Sequence, residues 1–180
     1  MTIYTIGHGA RSIDDFLDIL REASIEVLVD VRRYPGSRRH PHFGRERLEA
    51  HLSSAGIRYE GWGSSLGGRR SADEEALARH RGWQVEAFGA YAAHMETPEF
   101  QTKLEDLMAL AEQSRTVIMC AETLWWRCHR RLIADVLVVK KVSVIHLGAN
   151  GPKPHMLTGF ARVDDRGLLV YDAIAPDQNS

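Results

Sequence analysis

Both cysteines of the chain fall in one short stretch, Cys120-Ala-Glu-Thr-Leu-Trp-Trp-Arg-Cys-His-Arg-Arg131, which also carries Glu122, His129 and three arginines. An apolar run, Thr116 to Met119, precedes it and reads as a buried strand. The run from Trp126 to Val139 follows and reads as a helix. A thiol near a helix N-terminus and arginines acquires a lowered pKa and nucleophilic character. One carboxylate and one imidazole suffice for acid–base assistance near neutral pH. Cys120, Glu122 and His129, with His8 from the N-terminal segment, are therefore the candidate catalytic residues. Cys128, Arg130 and Trp126 are candidates for holding a substrate, Trp126 as the wall of a pocket for a planar ligand. Plainer readings stand beside these. A lone cysteine is often a small buried hydrophobe. His129 shares a helical face with Leu132, Ile133, Val136 and Leu137, and so could be a core histidine bonded to a backbone carbonyl.

Three other chemistries use similar residues. Cys120, Cys128 and His129, with His8 or Glu122, would supply four ligands to zinc or iron, although Cys-x7-Cys-His is not an established knuckle or ribbon spacing. The loop is also similar to the phosphatase cradle of Cys, five residues, Arg. Here six residues separate Cys120 from Arg127, and Glu122 would repel phosphate. Rhodanese-like sulfur transfer rests on a comparable loop and on the Asp-Val-Arg end of a strand.

A second cluster lies between Arg32 and Arg47. It holds Arg32, Arg33, Arg38, Arg39, Arg45 and Arg47, plus His40 and His42, against the single acid Glu46. Arginines so crowded repel one another unless solvated or paired, which points to an anionic partner. Arg32 and Arg38, with Arg69 further on, are the candidate anion-binding groups. Tyr34, Phe43 and Trp62 lie near enough in sequence to stack on a base or sugar. Asp30 and Arg32 share a strand face and would also make a structural ion pair.

These residues need elements to position them. Thr2 to Ile6 reads as the first strand, ended by Gly7-His8-Gly9. Ser12 reads as an N-cap with Asp15 in the capping-box position, and Ile13, Phe16, Leu17 and Leu20 follow helical spacing. Val27 to Val31 is a second strand, apolar enough to be covered on both faces. Tyr34-Pro-Gly-Ser37 reads as a turn, Leu48, Leu52 and Ala55 mark a helix capped by Gly56, and Ile57 to Trp62 a third strand. The glycines that follow make a loop ending in Arg69-Arg70. Glu74 to Met95 is helical with a break near Gly82, and Thr97-Pro98-Glu99 opens another helix. Thr116 to Cys120 and Val142 to Leu147 are the fourth and fifth strands. Phe160 to Val163 and Leu168 to Tyr171 form a terminal hairpin.

This alternation predicts an α/β fold: a three-layer sandwich with a mainly parallel, Rossmann-like sheet of about five strands and a small C-terminal hairpin. Residues 1–151 form a single α/β domain in this reading, with 152–180 a tail or hairpin packed on it. The expected order places the first strand centrally, flanked by the second and fourth. Right-handed crossovers would then bring His8, Arg32 and Cys120 to one carboxyl edge, where open α/β sheets place their sites.

The chain is 180 residues long with a net charge of -1, which excludes a generally basic nucleic-acid binder but not a local basic patch. Two cysteines make no disulfide framework, and free thiols suit a reducing cytoplasm. No apolar run approaches the roughly 20 residues of a membrane span, and Arg11, Asp14 and Asp15 come too early for a secretory signal. No Gly-x-Gly-x-x-Gly or Walker loop follows the first strand.

The chain resembles the family catalogued as domain of unknown function 488. The matching residues are Thr5-Ile-Gly-His8; Val29-Asp-Val-Arg32 with Pro35 and Ser37-Arg38; Leu66-Gly-Gly-Arg69; Tyr91, Met95 and Phe100; Met119-Cys-Ala-Glu122; and Cys128-His-Arg130. The link between the cysteine motifs, Thr-Leu-Trp-Trp-Arg, lacks the proline usual in that family. The resemblance implies a cytosolic α/β domain with its shared polar residues gathered at one edge, and supplies no reaction. The reading that follows is an enzyme, a hydrolase or transferase, acting on an anionic nucleotide-like or nucleic-acid substrate. The alternatives are a nucleic-acid-binding or repair-accessory module without catalysis, and a metal-binding protein using Cys120, Cys128 and His129. No cofactor is specified, a homodimer is left open, and no membrane partner is expected.

Overall fold

Val27 to Asp30 and Thr116 to Cys120 carry almost no exposed-strand signal, and every residue in both runs is buried. In the computed structural model, which describes residues 1–36 and 38–173, these runs are β2 (Val27–Asp30) and β4 (Thr116–Cys120). The elements around them are β1 (Thr2–Gly7), α1 (Ile13–Glu22), α2 (Arg45–Ser54), β3 (Arg58–Gly61), α3 (Gly63–Leu66), α4 (Glu74–Arg79), α5 (Glu86–Met95) and α6 (Pro98–Gln113). The chain continues through α7 (Arg130–Val139), β5 (Ser143–His146), β6 (Lys153–Pro154), β7 (Arg162–Val163) and β8 (Leu169–Val170). Ser37, part of the predicted turn and of the family motif, and the last residues of the predicted tail lie outside the described residues.

Alternation along the strands builds the three layers. Ile3, Val27, Val29 and Ile118 point into a core with Phe100, Leu104, Leu132 and Leu137 of α6 and α7. Tyr4, Ile6, Leu28, Val117 and Met119 point the other way, onto Phe16, Leu20, Leu48 and Leu52 of α1 and α2. Each of these side chains contributes roughly 1.5–3 kcal/mol by leaving water. Two helix starts follow from their caps: Ser12 Oγ accepts from Asp15 N at 3.1 Å, and Thr97 Oγ1 accepts from Phe100 N at 3.3 Å.

The sheet order is β3-β2-β4-β1-β5-β6, parallel except for the short β6, which runs antiparallel to β5. This corrects the expected order. β1 pairs with β4 and β5, and β4 sits between β1 and β2. Both β1 and β4 are apolar on both faces, so patterning alone cannot say which takes the inner place beside β2. β7 and β8 form the expected hairpin, pairing Arg162 with Val170 and Val163 with Leu169. The predicted loop after Trp62 contains the one-turn α3, because Leu66 needs burial and its N–H finds the Trp62 carbonyl at 3.0 Å. The helix expected from Trp126 starts only at Arg130. A 3-10 turn occupies Trp125–Arg127, and Cys128 is extended, with φ -142° and ψ 153°.

The registers bring three carboxyl ends level. Gly7 is opposite Cys120, Asp30 is opposite Met119, and the ladder continues beyond them: His8 N to Cys120 O, Gly9 N to Ala121 O and Val31 N to Met119 O, each 3.0 Å. No helix among the described residues is long and apolar enough to cross a membrane.

Candidate functional site

Cys120 ends β4 on the α7 side of the sheet, and Cys128 lies just before α7. Their sulfurs are 2.8 Å apart, and neither is in a disulfide. Cys128 Sγ also accepts the Arg130 N–H at 3.4 Å, so the sulfur occupies the positive end of α7. His129 is the N-cap of that helix rather than a residue of its first turn. Its Nε2 lies 3.1 Å from the Val31 carbonyl, which can only accept. That carbonyl places the ring proton on Nε2 and leaves Nδ1 facing Cys128 Sγ at 3.6 Å. The backbone-bonded histidine and the histidine beside the cysteine are thus the same residue. A nucleophile, a base and an orienting group stand in line.

The two thiols differ. Burial pushes Cys120 well above the ordinary thiol value, and its hydrogen bond to Cys128 adds to this. Burial pulls Cys128 upward too. The hydrogen bond from Cys120, with His129 and the Arg130 guanidinium close by, outweighs burial and holds it well below. The proton is therefore favoured on Cys120, and thiolate character on Cys128.

A cavity of about 410 Å³ opens over this pair. Cys120, Cys128, His129, Glu122, Arg32 and Arg69 of the expected residues line it, joined by Arg33, Tyr34, Tyr91 and Arg127. A neighbouring cavity of about 310 Å³ is lined by His8, Arg39 and His40 and shares Arg32, Tyr34 and Glu122 with the first. Arg33 and Arg69 both lie against the Tyr34 ring, at 5.8 and 5.7 Å from its centroid. Arg33 also donates to the Arg69 carbonyl at 2.7 Å. Arg69 presents that carbonyl from a left-handed backbone, φ 58°. Glu122 is exposed at the mouth, its carboxylate accepting from Leu124 N at 3.1 Å.

Five expected residues have different settings. Arg32 is 7% exposed and forms the ion pair with Asp30, at 2.6 Å, while donating to the Phe43 carbonyl at 2.8 Å. Its charge is already balanced. Arg130 is 1% exposed; its guanidinium donates to the carbonyls of Glu122 and Thr123, and so ties down the cysteine loop from beneath. Arg38 is exposed and lines neither cavity, and Trp126 is 45% exposed and likewise outside both. His8 is buried against Phe43, with ring centroids 4.3 Å apart. Burial, with Arg32 beside it, lowers its pKa to about 4 despite its hydrogen bond to the Gly9 carbonyl. At neutral pH the ring is uncharged, and it lines the second cavity.

Among the described residues no group of three or more His, Cys, Asp or Glu is arranged to hold a metal ion. The two sulfurs touch each other, and the His129 Nε2 is engaged by a carbonyl.

Behind the cysteine loop lies a buried chain that sequence reasoning missed. Thr5 Oγ1 bonds His146 Nδ1 at 2.7 Å, His146 Nε2 bonds His155 Nδ1 at 2.9 Å, and His155 Nε2 bonds Asp135 at 2.8 Å. Asp135 also accepts from Thr158 N and Tyr171 OH, each at 2.9 Å. Trp125 stacks on His146 with a centroid distance of 4.1 Å, which pins the loop to this chain. The available signal was Asp135 itself, an acid interrupting an apolar helix.

No curated protein and no solved structure matches the chain. The family described as domain of unknown function DUF488 matches residues 12–137, a span that holds the helix before β2, the arginine cluster and the whole cysteine loop. Over that span, more than half its length, the chain belongs to the domain of unknown function DUF488 family.

Proposed function

We propose that the protein is an enzyme, a transferase or hydrolase, that uses Cys128 as nucleophile on an anionic, nucleotide-like substrate or nucleic-acid end. The observation carrying this reading is the line Cys128 Sγ, His129 Nδ1, His129 Nε2, Val31 O at the floor of a cavity rimmed by Arg33, Arg69 and Arg127. The rim draws an anionic group toward the thiolate, Tyr34 offers an aromatic face to a base or sugar, and Glu122 at the mouth offers a carboxylate to take a proton from attacking water. In the reaction the Cys128 thiolate displaces the leaving group and forms a thio-linked intermediate. Water, or an acceptor, then releases the product and restores the thiolate. Cys120, holding the proton, supports the thiolate beside it. Arg39, in the lining of the neighbouring cavity, adds positive charge beside the first, which favours a substrate with more than one phosphate.

The test is a turnover and binding screen with nucleotides and short oligonucleotides at two salt concentrations. Cys128→Ser should abolish turnover while retaining binding. Arg69→Ala should weaken binding about tenfold or more and reduce its salt dependence, as expected when a phosphate contact is lost. Binding that ignores salt, or turnover that survives Cys128→Ser, would exclude this reading.

A further inference from the structure

We infer that Cys120 and Cys128 form a redox-active pair that closes to an internal disulfide in exchange with small disulfides and reopens with thiols. This activity is separate from the proposed transfer, since it asks only for two sulfurs, a thiolate and an opening.

The sulfurs are 2.8 Å apart, closer than two unbonded sulfurs ordinarily approach and short of the about 2.05 Å of a bond. The residues between them form a surface loop with one 3-10 turn, and Ala121 to Thr123 are exposed, so the small closing movement falls on a segment outside the sheet. Both sulfurs line the cavity, which gives a reagent its path. Their asymmetry sets the order of events. Cys128 receives the Arg130 N–H and faces His129 Nδ1, whereas Cys120 lies deeper, at the strand end, with no backbone N–H on its sulfur among the described contacts.

The steps balance. The Cys128 thiolate attacks one sulfur of a small disulfide, RSSR, breaking its S–S bond; one RS⁻ leaves and takes a proton. Cys120 then gives up its proton, its sulfur attacks Cys128 in the mixed disulfide, and the second RS⁻ leaves with that proton. The pair loses two electrons and the one proton of Cys120, and RSSR, taking its other proton from solvent, is reduced to two RSH. Arg130 and the α7 N-terminus stabilise the thiolate and hence the reduced form, which makes the disulfide readily reduced. Oxidation removes the nucleophile from the cavity.

The experiment equilibrates the purified full chain in mixtures of reduced and oxidised glutathione, quenches with acid, alkylates and measures mass. The expected product is a monomer two hydrogens lighter, reversed by dithiothreitol. Trypsin cuts after Arg127, so the bridge would link the peptide Thr116 to Arg127 with Cys128 to Arg130. Cys120→Ser should accumulate the glutathione adduct on Cys128, and Cys128→Ser should react about tenfold or more slowly. Arg130→Met should shift the equilibrium toward the disulfide by about tenfold; if that variant does not fold, His129→Gln should shift it the same way. Full alkylation of both thiols at every ratio, a bridge only between chains, or a stable adduct on Cys128 in the unaltered protein would overturn the pairing. None of these readings depends on the nucleotide screen.

Discussion

His8 and His146 are buried histidines held neutral. Burial, with Arg32 nearby, lowers His8 to about 4; burial, with His155 and Arg130 nearby, lowers His146 to about 3. Both folded values lie below the ordinary 6.5, so between them the unfolded chain binds more protons than the folded one. The stability they contribute is full above pH 6.5 and is lost as pH falls toward 4 and then 3, on the order of 3 kcal/mol for His8 and 5 kcal/mol for His146. The urea midpoint should therefore drop between pH 7 and pH 4.5. His8→Asn keeps an N–H for the Gly9 carbonyl and should flatten that drop; equal slopes would contradict the assignment. Asp135 is the other single residue with large leverage. Replacing it with Ala leaves His155, Tyr171 OH and Thr158 N without their acceptor, which should cost about 3–5 kcal/mol in denaturant unfolding. The donor chain becomes legible only once β1, α7, β5 and the tail are brought together, since its members are far apart in sequence.

At the scale of elements, the site depends on how closely β1 approaches the cysteine loop. A Cβ on Gly7 would lie 1.9 Å from the Glu122 carbonyl oxygen and 2.8 Å from Arg130 Nη2. Backbone and a buried guanidinium cannot both give way. Gly7→Ala should destabilise the fold by about 3 kcal/mol and should also slow alkylation of Cys128 by iodoacetamide, because the loop carrying Glu122 must move. A variant of unchanged stability and thiol reactivity would show that the loop is less tightly held than its contacts indicate. The same elements explain the unexpected arginines at the start of α7. Arg130 points into the loop carbonyls, and Arg131 reaches Thr158 at 2.9 Å and packs over Trp83. Their charges serve the loop and the tail, and α7 keeps its positive end for the Cys128 sulfur.

At the scale of the molecule, the segment beyond the family match completes the core on the α7 side. Phe160, Leu169 and Tyr171 are buried there with Leu132 and Tyr91, Gly82 N donates to the Tyr171 carbonyl at 2.8 Å, and Arg79 pairs with Asp164 at 3.0 Å. A chain ending at Gly151 should lose cooperative unfolding or fall far in midpoint, since it exposes that core and strips His155 and Tyr171 from Asp135. A truncated chain that melts as the full one does would make the tail dispensable to the fold.

Much was legible before any tertiary contact. The doubly apolar runs became β2 and β4, the Ser12 and Thr97 caps opened their helices, and the strand ends at Gly7, Asp30 and Cys120 placed His8, Arg32 and the cysteines at one edge. These features depend on spacings of a few residues, and local geometry enforces them wherever the segment ends up. Tertiary structure alone decided the place of β4 between β1 and β2, because two strands apolar on both faces are interchangeable to a reader of patterns. It also sorted the arginines, which look alike in sequence: Arg32 and Arg130 are buried and partnered, while Arg33, Arg69 and Arg127 rim the cavity. The contact of Cys120 with Cys128 arose in the same way. A strand end and a helix start, each packed for its own apolar face, set the two sulfurs side by side.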